Sequence, residues 1–269
     1  MVAGMHRPCF REGLAGVAVA LGVILLSGCS TVPVTGRSQL NFMSAGEEMK
    51  LGLSEFDKMK KEVPVSKDPK LNALVQRVGQ RIAAVAKGDM PNAQWEFVVF
   101  ESKEANAFCL PGGKVGIYTG ILPITLDDAG LATVMGHEVA HAVARHGGER
   151  MSQAMGLQML GVGVAATTRD SKYAQAIAVG YGLGSQLAVA LPHSRLQESE
   201  ADRMGLLYMA RAGYPPSAAV SFWQRFGEHS RAQGGDTAWF LRTHPTDQQR
   251  VENLRRLLPE AEAVYRPKP

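Results

Sequence analysis

The sequence predicts an α+β fold that is mainly helical, with one small sheet. Three observations lead there. Strand-like runs are confined to residues 95–118, on either side of a Pro-Gly-Gly turn. From Thr125 onward the apolar residues recur almost entirely at helical spacing. Two further helical patterns, each with its own start signal, precede the strands. The composition agrees: 45% of the 269 residues are hydrophobic and 20% charged, which excludes both a disordered chain and a multi-span membrane protein. The formal charge of +4 comes without any run of five like charges, so nucleic acid is not an expected partner.

The first segment reads as an address and not as part of the fold. Arg7 and Arg11 precede an uncharged stretch, Gly13 to Leu26, that ends in small residues. That is the form of a secretory signal, and it is shorter than the ~20 residues a membrane span needs. Leu26-Ser27-Gly28-Cys29 resembles the bacterial lipobox. The resemblance implies cleavage before Cys29, lipid on its thiol, and a chain anchored to a membrane without crossing it. Ser30, in place of an aspartate, favours sorting to the periplasmic face of the outer membrane. The expected organisation is a signal peptide (1–28), a lipidated tether (29–43), one domain (44–260) and a short tail (261–269). Three cysteines cannot build a disulfide framework, and lipidation at Cys29 leaves Cys109 as the one thiol of the mature chain, expected to be buried and inert.

Within the domain, Ser44-Ala45-Gly46-Glu47 is a capping-box pattern that starts a helix running to about Lys61. Asp68-Pro69 opens a second, with Leu71, Leu74, Val75, Val78 and Ile82 on one face. Trp95–Phe100 and Gly112–Tyr118 are the strand candidates. Helices are predicted over 127–146, 149–166, 172–190, 196–212, 215–231 and 245–257. The stretch from Met151 to Leu191 is rich in Ala, Gly, Val and Leu; it reads as buried core, a lid, or a membrane-contacting pair of helices.

The chemistry is concentrated in His137-Glu138-Val139-Ala140-His141. On a helix, residues four apart share a face, so both imidazoles can reach one metal ion. Glu138, one step round, can take a proton from water beside it. Zinc needs a third protein ligand. His146, five residues past His141, falls on the far side of a continuous helix and reads as solvated or as a hydrogen-bond partner. Glu198-Ser199-Glu200-Ala201-Asp202 offers carboxylates downstream. Glu198 and Asp202 share a helix face, so one can bind the ion while the other orients a histidine. Spacing alone does not exclude Glu200 as the ligand.

HEVAH followed by ESEAD resembles the gluzincin metallopeptidases of the CaaX prenyl endopeptidase, HtpX and Oma type, closest to the bacterial periplasmic lipoprotein members (BepA/LoiP-like). The resemblance implies a zincin-like domain whose small sheet has an edge strand lining the cleft. It implies one Zn²⁺ per chain on His137, His141 and Glu198, with Glu138 as base and Asp202 supporting a ligand. Asn106-Ala107-Phe108-Cys109-Leu110-Pro111-Gly112-Gly113 is similar to the family's NAFxxPGG stretch. There the strand after the glycines pairs with substrate, which puts Asn106, Gly112, Gly113, Lys114, Val115 and Gly116 against an extended peptide. Thr243-His244-Pro245 with Arg250 is similar to the family's HPxxxxR pattern, which implies His244 at the active site and Arg250 paired with a nearby carboxylate. His193 stands where the family pattern leads one to expect an aromatic residue.

The implied activity is zinc-dependent hydrolysis of extended or unfolded polypeptides in a bacterial envelope, as quality control of misfolded or stalled proteins. Outer-membrane assembly machinery is a further expected partner. The competing expectation is an assembly chaperone or scaffold with latent peptidase activity.

Overall fold

The computed structural model describes residues 29–185, 191–232 and 248–267. His244 lies outside them. The first helix, α1 (Ala45–Glu62), starts as the capping box requires: Ser44 accepts from the Glu47 amide while the Glu47 carboxylate accepts from the Ser44 amide. In α2 (Pro69–Ala86) the Asp68 carboxylate accepts from the amides of Lys70 and Leu71. Its apolar face, Val75, Val78 and Ile82, is fully buried.

Residues 29–41 are not a slack tether. Strands β1 (Cys29–Thr31) and β2 (Ser38–Leu40) pair antiparallel, Val32 enters the main core, and the loop between them lies against the body of the domain. The pattern is too short and too polar to read as a hairpin from sequence.

The second sheet has three strands in the order β3-β5-β4: β3 (Glu96–Phe100), β5 (Lys114–Tyr118) and β4 (Ala107–Leu110). β3 runs parallel to β5, and β4 returns antiparallel through the Pro-Gly-Gly turn. Gly112 and Gly113 hold φ of 90° and 82° there, angles that favour glycine. β5 is therefore the central strand, buried along its whole length, and β4 is the edge. At Gly116 the Phe108 ring lies across the backbone, and a Cβ would come within 2.2 Å of it.

A short helix, α3 (Leu122–Thr125), leads into α4 (Asp128–Val143), which carries the HEVAH residues. Every residue of α4 from Gly130 to Val143 is buried, as expected of a helix apolar on all sides. It sits at the centre, touching α2, β4, α7 (Leu191–Arg211) and α8 (Ser217–Ala232). The last helix, α9 (Gln248–Val264), packs on α7 and α8. Trp223, Phe222, Phe226 and Tyr208 fill the space between these helices, each burial contributing about 1.5–3 kcal/mol before entropy is charged.

The predicted helix over 127–146 is cut short. Arg145 takes a left-handed conformation (φ 56°, ψ 34°), so the chain turns and starts α5 (His146–Thr168) in a new direction. For an arginine that conformation costs about 1–2 kcal/mol. It is held by α1: the Arg145 guanidinium donates twice to the buried Glu48 carboxylate (3.1 and 2.8 Å) and once to the Met43 carbonyl (2.6 Å). Beyond it, α5 and α6 (Ala174–Ser185) form a hairpin in which Ser152 alone is buried between Met151 and Ser185. Core is thus excluded for this described stretch. No helix among the described residues is long and apolar enough to cross a membrane.

Candidate active site

α4 and α7 cross where Gly136 faces Gly205, close enough that a Cβ on Gly205 would lie 2.9 Å from the His137 backbone nitrogen. That approach brings three predicted residues together. His137 Nε2 and His141 Nε2 are 3.1 Å apart; Glu198 Oε2 is 3.4 Å from the first and Glu198 Oε1 3.2 Å from the second. All three side chains are buried. Tetrahedral zinc with bonds of about 2.0–2.1 Å requires ligand atoms about 3.3 Å apart. The donor set, two imidazoles and one carboxylate, suits the same ion.

The surroundings fix the His137 ring. Its Nδ1 lies 3.0 Å from Asp202 Oδ1; the carboxylate only accepts, so Nδ1 carries a hydrogen and Nε2 is the nitrogen that faces the shared point, where a metal would take the place of its proton. Arg250 grips Asp202 with Nε and Nη2 (3.0 and 2.7 Å), reaches Glu198 Oε2 at 3.3 Å, and lies 3.5 Å over the Trp223 ring. Burial pushes the Asp202 carboxyl up, but Arg250 and His137 outweigh it and hold it below the usual carboxylate range. Burial lowers the His137 ring's affinity for a proton, yet Asp202 and Glu198 overrule it and hold its pKa at about 9. His141 is pushed well below the ordinary imidazole value by burial, against the pull of Glu198. The pocket's field around His137 favours positive charge.

Glu200 does not join this cluster. It accepts from Thr35 Oγ1, from Arg37 Nε (2.8 Å) and from His146 Nε2 (3.0 Å) on the other side of the site. Burial raises its carboxyl, but these three partners bring its pKa down to about 2. His146 is fully buried, with Nδ1 2.7 Å from His141 Nδ1. The turn at Arg145 puts it there, and a continuous helix would not have.

Glu138 is 5% exposed and lines a cavity of about 530 Å³ with His141, Arg145 and the edge strand from Ala107 to Pro111. The strand expected to meet substrate was the one after the glycines, and here the structure corrects the expectation. Lys114, Val115 and Gly116 lie in β5, whose two edges are taken by β3 and β4. Gly112 and Gly113 form the turn, their carbonyls accepting from Gln94 and Glu96 (2.8 and 3.0 Å). Asn106 is buried just before β4, its carbonyl accepting from the Tyr118 amide (3.0 Å). The strand that borders the cavity is β4. The Asn106–Tyr118 bond sets the antiparallel alternation, so Phe108 and Leu110 also bond β5. Ala107, which is buried, and Cys109, which is partly exposed, then turn their backbone N–H and C=O away from β5, on the side of the cavity.

A sequence model of peptidase family M48 matches residues 69–258. The chain belongs to peptidase family M48. M48 peptidases are zinc-dependent, and this chain is a zinc metalloendopeptidase of that family. It is similar to the mitochondrial metalloendopeptidase OMA1 of Schizosaccharomyces pombe: 33% identical over 244 residues, covering 90% of this chain and 70% of the relative. Human mitochondrial OMA1 is 31% identical over 265 residues, 93% of this chain and 49% of the relative. The beta-barrel assembly-enhancing protease of Escherichia coli is 26% identical over 229 residues, 84% and 46% of the two chains. Mitochondrial and bacterial M48 proteins are thus both among the relatives.

Sequence reasoning missed four contributors to the M48 site. Trp223 lies 5.5 Å edge-on to His137 and reads as an ordinary core residue of an amphipathic helix. Thr35 and Arg37 stand about a hundred residues before the motif, and Glu149, eight residues past His141, carries no local sign of a role; that Arg37 binds Glu149 and Glu200 is visible only once the chain is folded.

Proposed function

We propose that this M48 chain is an endopeptidase of the bacterial envelope that cleaves extended segments of misfolded or stalled outer-membrane and periplasmic proteins. The observation that carries the reading is the juxtaposition of the His137, His141, Glu198 cluster with the open edge of β4. A polypeptide lying along that edge hydrogen-bonds the partly exposed backbone at Cys109 whatever its sequence, and only chain without its own structure is free to do so. The signal-like residues 1–28 and the lipobox ending in Cys29 support an anchored location at the periplasmic face of the outer membrane. The bacterial relatives, named as assembly-enhancing proteases, support a link to assembly machinery.

In the proposed mechanism His137, His141 and Glu198 would hold the zinc. When bound, the metal acidifies water and polarises the scissile carbonyl. Glu138 takes the proton from the attacking water and delivers it to the leaving amine. Asp202 keeps the His137 tautomer, and Arg250 keeps Asp202 ionised and in place. His244, outside the described residues, is assigned oxyanion donation by resemblance alone.

The test uses the purified full chain and an unfolded outer-membrane protein. Glu138→Gln should keep one zinc per chain and lose about 10²–10⁴-fold in cleavage rate. Equal cleavage by both forms refutes the mechanism. A Glu138→Gln protein that still restores outer-membrane assembly in cells lacking the native chain points to the scaffold reading instead.

A further inference from the structure

The hairpin that precedes the family-matched region makes direct contact with the site's support. Its turn, Val32–Arg37, is strained: Val34 has φ 70°, and the Thr35 amide donates to the Pro33 carbonyl at 2.8 Å, a three-residue turn that β-branched residues rarely adopt. The turn presents Thr35 and Arg37 to the body. Arg37 donates through Nε to Glu200 Oε2 (2.8 Å) and through both terminal nitrogens to Glu149 (2.7 and 2.8 Å). Glu149 is fixed from behind by Gln197 Nε2 (2.7 Å). Strain of this kind persists where surrounding contacts over-determine it, and here the contacts lead inward.

Their direction can be followed atom by atom. Glu200 only accepts, so the His146 nitrogen 3.0 Å away, Nε2, carries a hydrogen. In the neutral ring His146 Nδ1 is then an acceptor, and His141 Nδ1, 2.7 Å away, is the donor. His141 Nε2 is left with its lone pair toward Glu198 and His137 Nε2, the form a metal ligand needs. Reversing any link puts a hydrogen on the wrong nitrogen or leaves a buried carboxylate unpaired.

We propose that the N-terminal hairpin is a working part of the metal centre, with Thr35 and Arg37 positioning Glu200, Glu200 positioning His146, and His146 setting the His141 ring for zinc. These four are positioning residues, and Thr35 and Arg37 lie outside residues 69–258, where the family model matches. The proposal rests on the assignment of zinc to His137, His141 and Glu198. It adds that the segment between the anchor site and the domain helps to determine how tightly zinc is held.

The experiment measures zinc affinity of the purified full chain by competition with a chromogenic chelator. His146→Ala and Glu200→Gln should each weaken zinc about 10- to 100-fold at one zinc per chain. Arg37→Ala should weaken it about 10-fold in the native background and have no further effect in His146→Ala, because the two act in series. A merely structural Arg37 would lower Tm without this dependence on His146. Thr35→Val, which removes one hydroxyl at nearly constant volume, carries the same paired comparison if Arg37→Ala does not fold. Unchanged zinc affinity in Arg37→Ala, or an equal loss with and without His146, overturns the proposal. Full zinc binding by His141→Ala would instead refute the metal assignment beneath it, whatever Arg37 does.

Discussion

Replacing Gly205 by alanine should force apart the two helices that carry the metal-binding atoms. A Cβ there would sit 2.9 Å from His137 N and 3.1 Å from both Gly136 C and His137 Cα. All three are backbone atoms of α4, so no side chain can rotate away. Restoring ordinary contact needs roughly 0.5 Å of separation, about the tolerance of a metal or catalytic constellation. Overpacking of this kind costs about 1–3 kcal/mol, and the better helix propensity of alanine returns about 1 kcal/mol. Gly180→Ala on α6 is the control: nothing lies within 4 Å of its Cβ, so it gains the propensity without the clash. The two substitutions should differ by about 2 kcal/mol, or about 4–8 °C in Tm for a domain of this size. Calorimetry gives the first number and chelator competition the second readout, a weaker zinc site in Gly205→Ala only. If Gly205→Ala matches Gly180→Ala in Tm and binds zinc as the native chain does, the close crossing is not what assembles the site.

Two further outcomes follow from the electrostatics. Burial raises the Glu149 carboxyl, but Arg37 and Gln197 outweigh it and hold its pKa below the ordinary value; the folded state therefore releases this proton more readily than the unfolded one, and the stabilisation is present above about pH 4.5 and lost as pH falls through the folded value. Glu149→Gln should flatten that acid limb and cost about 1–3 kcal/mol at neutral pH; urea midpoints at several pH values that fall in parallel with the native chain's would contradict it. Burial, with the nearby charge of Glu138, pushes the Cys109 thiol up, so iodoacetamide should modify it slowly in the folded chain and fully in urea. Fast labelling of the native form would show an exposed thiolate.

The features legible in the sequence are those that one segment encodes by itself. HEVAH places two imidazoles on one face because the helix period is local, and the capping box at Ser44 and the Pro-Gly-Gly turn work the same way. ESEAD needed the fold to choose among its carboxylates: α7 turns Glu198 and Asp202 toward α4 and Glu200 toward the hairpin. β4 is four residues long and offers no alternation to read, and the family resemblance points to the strand after the glycines, β5, although β5 is buried along its whole length as the central strand. Of the two readings open for His146, solvated or hydrogen-bond partner, the second holds; the left-handed turn at Arg145 that brings it to His141 is stabilised by Glu48 from ninety-seven residues away in sequence and is not legible locally. The α5–α6 hairpin has the composition of core and the exposure of surface, a difference that only packing reveals.

X-ray absorption at the zinc edge on the purified full chain reads the atoms around the metal. One zinc per chain should show two imidazole nitrogens and a carboxylate oxygen at about 2.0–2.2 Å, and Glu198→Ala should lose the bound metal. A sulfur neighbour at about 2.3 Å, or an unchanged spectrum and zinc content in Glu198→Ala, would contradict it.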